Sequence, residues 1–64
     1  MANLAPYKNV HTIFLNTNVI EKINGLDSLT KLTILNLSFN RIKKVEGLKK
    51  SKLLHTLDLT HNFI

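Results

Sequence analysis

The chain has 64 residues, 44% of them hydrophobic, which allows one small domain with a modest core near the lower limit of independent stability. Nine basic residues against four acidic ones leave a formal charge of +5, and the absence of cysteine excludes disulfide staples and fits a reducing compartment. No run approaches the ~18 apolar residues of a membrane helix, and Met1 to Tyr7 is neither basic nor long and apolar, so no secretory leader is expected.

In chain order, residues 1–9 come first. Leu4 and Tyr7 fall in phase with Val10, so this stretch reads as the back half of a repeat or, equally, as a minimal cap; Pro6 suits an irregular entry because it lacks a donor. From Val10 a pattern then recurs every 22 residues. It runs Val10, Ile13, Leu15, Asn18, Ile20; then Leu32, Leu35, Leu37, Asn40, Ile42; then Leu54, Leu57, Leu59, Asn62, Ile64. All fifteen positions fit, twelve of them aliphatic and three asparagine. A fixed period of this size signals stacked coils rather than a single globule.

Within each signature, at 10–20, 32–42 and 54–64, the apolar residues end in strict alternation, the mark of a short strand with one buried face. Leu35 and Leu37 are expected inward, and Ile34, Asn36 and Ser38 outward. The Asn closes the strand where the backbone turns. Its carboxamide both donates and accepts, so Asn18, Asn40 and Asn62 are expected to form an internal ladder. Between signatures, apolar residues step by three: Ile20, Ile23, Leu26, Leu29, Leu32, then Ile42, Val45, Leu48. Three is the period of a 3₁₀ turn. Ser51 breaks the second series, which predicts weaker packing there with help from Leu53.

These residues resemble the leucine-rich repeats, and the signature covers nearly the whole chain. The 22-residue spacing is similar to an intracellular subtype found in the protein phosphatase 1 regulatory subunit and in axonemal dynein light chains. The resemblance implies an α/β-type solenoid. It has short parallel strands on a concave face, 3₁₀ or irregular turns on a convex face, and a right-handed coil. It also implies one repeat unit over 1–64, which without a closing turn after Ile64 is expected to be a segment of a longer array. The alternative is an edge at Leu57 to Ile64 that docks on a neighbour or self-associates.

In stacked coils the outward positions form columns ~4.8 Å apart per rung. These columns read Thr12, Ile34, Thr56; Phe14, Asn36, Asp58; Asn16, Ser38, Thr60; and Thr17, Phe39, His61. Phe14, Ile34 and Phe39 are candidate apolar contacts for a partner, and Asn16, Asn36, Asp58 and His61 candidate directional ones. Five lysines cluster in one connection: Lys43, Lys44, Lys49, Lys50 and Lys52. They read as a solvated face or as a site for acidic tails or nucleic acid, with nucleic acid disfavoured because no aromatic residue interleaves with them.

No metal, cofactor or catalytic residues are expected. His11 and His55 stand two rungs apart, ~10 Å at that spacing, too far to share a zinc ion. A His61–Asp58 pair lacks a positioned nucleophile. Three functions remain open: a protein-interaction scaffold working through the concave sheet, a structural segment docked at its open end, and a basic binder of acidic partners. An intracellular location follows from the subtype, with cytoplasm, cilium or axoneme, and nucleus all compatible.

Overall fold

A computed structural model describes residues 4–64. Met1 to Asn3 lie outside the described residues, and with them part of the segment 1–9. Three strands form one parallel sheet in the order β1-β2-β3: β1 is Thr12–Phe14, β2 Ile34–Asn36 and β3 Thr56–Asp58. Their register advances by one full repeat, with Thr12 facing Ile34 facing Thr56, and Phe14 facing Asn36 facing Asp58. The pairing follows from the sequence pattern, because only this register puts Ile13, Leu35 and Leu57 on one face together.

Backbone pairing continues beyond each strand. Leu15 N donates to Asn36 O (2.8 Å), Thr17 N to Ser38 O (3.0 Å) and Arg41 N to Ile20 O (2.8 Å); Leu37, Phe39 and Phe63 repeat these bonds one coil later. The connections close with i→i+3 bonds, as in Leu29 N to Leu26 O (3.0 Å) and Ser51 N to Leu48 O (3.0 Å). The same bond, Tyr7 N to Leu4 O (2.9 Å), closes the 3₁₀ turn Ala5–Tyr7. No α-helix forms among the described residues. The α component of the expected α/β class is therefore not realised. A step of three aligns the apolar residues of a 3₁₀ turn, whereas an α-helix needs a stripe at three and four.

The core is the middle coil. Ile23, Leu26, Leu29, Leu32, Leu35, Leu37 and Ile42 are fully buried, whereas Ile13, Leu15, Ile20, Leu54, Leu57 and Leu59 one coil earlier or later are only partly so, and Val45 and Ile64, counterparts of Ile23 and Ile42, are exposed. Stacking explains the difference: a coil's apolar edge is covered from both sides only when it has two neighbours. Gly25 and Gly47 turn each connection at φ 74° and 73°. A side chain on Gly47 would collide with the Ile23 carbonyl, so this turn needs glycine for space as well as for φ.

Two local expectations are corrected. Leu53, expected to help the packing at Ser51, is 57% exposed and stands outside the core. Ser51 itself is buried, and its hydroxyl has no hydrogen-bond partner. It stands where the previous coil has the fully buried Leu29. Ser38, expected outward, is only 5% exposed. The strand has ended at Asn36, so the alternation that placed Ser38 no longer applies to it.

Candidate functional site: the outward face of the sheet

The ladder asparagines set the geometry of this face. Asn40 Nδ2 donates to Leu37 O (2.9 Å) and Ser38 O (3.1 Å) in its own coil and to Leu15 O (3.0 Å) in the preceding one. Its Oδ1 accepts from Ile20 N at 3.0 Å. Asn62 repeats the set, donating to Leu37 O and Leu59 O and accepting from Ile42 N (2.9 Å). Asn18, expected in the same ladder, is instead exposed, and among the described residues it bonds within its own turn, to Leu15 O and Asn16 O. Each inter-coil asparagine thus satisfies peptide groups that the turn takes out of the sheet.

The residue just before each asparagine adopts a left-handed backbone: Thr17 at φ 58°, Phe39 at 57° and His61 at 57°. Such a conformation is costly for bulky or β-branched residues, of order 1–2 kcal/mol each. Inter-coil amide bonds, Thr17 N to Ser38 O and Phe39 N to Thr60 O, offset it. One consequence is a stack. The rings of Phe39 and His61 lie 4.4 Å apart and 16° from parallel, close to the rung spacing. Phe39 remains 54% exposed. The column was legible in the sequence. The left-handed turn that lets the two rings meet was not, since neither residue is glycine.

Asn36 and Asp58 serve the fold first. Asn36 Oδ1 accepts from Ser38 N (3.0 Å) and Ser38 Oγ (2.8 Å). Asp58 Oδ1 does the same for Thr60 N (3.0 Å) and Thr60 Oγ1 (2.7 Å). Both are side-chain turns, and the spacing Asn36-x-Ser38 and Asp58-x-Thr60 was the unused signal for them. The Thr60 amide, then its hydroxyl, hold the Asp58 carboxyl below its ordinary value of 3.8, against partial desolvation and with a smaller pull from His61. In the first rung Phe14 takes this position, carries no acceptor and stands 69% exposed.

Of the other candidates, Asn16 is exposed and Ile34 half-buried between Thr12 and Thr56. Lys43, Lys44, Lys49, Lys50 and Lys52 are all exposed and lie in the β2–β3 connection, off the sheet. His11 and His55 are exposed; the His55 ring contacts Thr56 Oγ1 at 3.0 Å. Among the described residues no group of three or more His, Cys, Asp or Glu side chains converges to hold a metal ion.

Comparison with known proteins agrees with this geometry. The family model described as leucine rich repeats (2 copies) matches residues 8–50 and again 30–64. Dynein axonemal light chain 1 from Bos taurus is 44% identical over 48 residues, 75% of this chain and 25% of that protein. The proteins of the same name from Rattus norvegicus and Homo sapiens align with the same identity and coverage. The chain therefore spans about a quarter of the length of the curated relatives it matches.

Proposed function

The chain belongs to the leucine-rich repeat family, and from that premise we propose that it is a protein-interaction segment whose concave sheet face receives a partner, with Phe14 and Phe39 as anchors. The observation that carries this reading is the exposure of both rings, Phe14 at 69% and Phe39 at 54% with its ring stacked on His61. Exposed aromatic groups of this kind dominate many interface energies. The family's role in binding proteins supports it, and so does the name of the relatives, dynein axonemal light chain 1. The partner proposed is accordingly another subunit of an axonemal dynein, and the site of action the cytoplasm of a cilium.

In this reading the three strands are the concave side of a right-handed coil, the hand that parallel crossover connections adopt almost without exception. The 3₁₀-type turns at Leu26–Leu29 and Leu48–Ser51 are its convex side. No catalysis is assigned. A second reading, a structural segment of a longer array, is favoured by the greater length of the relatives.

The test is co-purification of the tagged chain with axonemal dynein from ciliary extract. Phe14→Ala with Phe39→Ala is expected to reduce recovery about thirtyfold, from ~2 kcal/mol for a pair of modest anchors, with the circular dichroism spectrum unchanged. Undiminished recovery by the folded double variant would place the interface elsewhere.

A further inference from the structure

The two connections of this protein share one backbone and differ in charge. Each has a glycine at the same place with φ near 74° (Gly25 at 74°, Gly47 at 73°). Each closes with the same pair of i→i+3 bonds, Leu29 N to Leu26 O and Leu32 N to Leu29 O in the first, Ser51 N to Leu48 O and Leu54 N to Ser51 O in the second. Yet Glu21, Asp27, Ser28 and Thr30 of the first are replaced, position for position, by Lys43, Lys49, Lys50 and Lys52 in the second. Lys22 and Lys44 are the one shared basic position. Residues 21–31 carry two acidic and two basic side chains and are neutral, while residues 43–53 carry five lysines against Glu46, a net +4 of the chain's formal +5.

The fold does not ask for this charge. The first connection builds the same turn without it, and crowding five exposed ammonium groups into one connection opposes folding through mutual repulsion. The outward face of the sheet, by contrast, has no lysine or arginine in its columns. We infer that the Lys43–Lys52 connection is a second docking surface, separate from the sheet face, that takes an acidic, extended polypeptide segment. Charge complementarity selects the occupant. An ammonium group is a point charge that accepts carboxylates from many directions, so a run of Glu and Asp side chains satisfies it without defined geometry. The connection lacks the aromatic platforms on which unpaired bases stack, which disfavours nucleic acid.

The test uses the whole 64-residue chain and a fluorescent poly-glutamate peptide of ~20 residues, followed by anisotropy at low and at moderate salt. Two variants lose equal charge: Lys43, Lys49 and Lys52 to Gln, and Lys8, Lys22 and Lys31 to Gln. Both are checked for native circular dichroism. The inference expects salt-sensitive binding that drops about tenfold or more in the first variant and less than about threefold in the second, since only the first set lies wholly within the surface. Equal losses would mean that bulk charge alone drives association, and would overturn it. So would the absence of binding at low salt. Tighter binding of a single-stranded oligonucleotide, or of vesicles containing phosphatidylserine, than of the peptide would likewise refute an acidic polypeptide as the occupant.

Discussion

Replacing each ladder asparagine by alanine gives three versions of one experiment, because the local sequence is alike and only the place in the stack differs. Asn40 makes four hydrogen bonds, two of them to the preceding coil, and is buried. At about 1 kcal/mol net per bond, with a larger charge when a buried group is left unpaired, Asn40→Ala should cost about 4 kcal/mol. Asn62 also makes four, but one is long at 3.4 Å and the side chain is half-buried, so water replaces part of the loss; about 2 kcal/mol is expected. Asn18 makes two exposed bonds within its own turn, and about 0.5–1 kcal/mol is expected. Urea denaturation followed by circular dichroism reads all three. A domain of this size has a total stability of about 3–10 kcal/mol, so Asn40→Ala should leave a large unfolded fraction in buffer while Asn18→Ala stays folded. Equal costs at the three positions would refute the inter-coil role and reduce the asparagines to local turn formers.

Gly47→Ala should be among the most damaging small substitutions, at about 3 kcal/mol or more, because the added methyl meets the Ile23 carbonyl and the residue must keep φ 73°; a thermal midpoint within a few degrees of the parent would contradict that packing. Ser51→Ala should raise stability by about 1 kcal/mol, since it removes a buried hydroxyl without a partner, and a loss of stability in urea would show that the hydroxyl is satisfied after all. Asp58 has a folded-state carboxyl below its ordinary 3.8, so its contribution is present above that pH and is lost as pH falls through the folded value. Asp58→Asn should therefore flatten the acid limb of the stability curve below pH 3.8, and an unchanged limb would reject the Thr60 turn as its cause.

The two proposed surfaces differ in kind. Phe14 and the Phe39–His61 stack offer apolar area with little charge, suited to slow dissociation once seated. The lysine connection offers charge with little apolar area, suited to steering and to salt-dependent capture. A partner carrying an acidic stretch beside an apolar one could engage both.

The sequence by itself determined the repeat and the register of its parallel strands. The 22-residue period set which residues pair, and alternation set which side of the strand is buried, because a one-residue slip would expose every leucine. The exposure of Phe14, Phe39 and the five clustered lysines was expected from the sequence and is observed, whereas the same phase misplaced Ser38 and Val45. What the tertiary structure alone decided is how much each identical position matters. Asn18, Asn40 and Asn62 read alike in one dimension and differ in burial only through the coils beside them. The left-handed backbone at Thr17 and Phe39 is likewise held by amide bonds to the next coil and by no local preference of those residues. Ser38 is buried with its amide and hydroxyl both turned onto Asn36 Oδ1, a side-chain turn that the apolar periodicity does not carry.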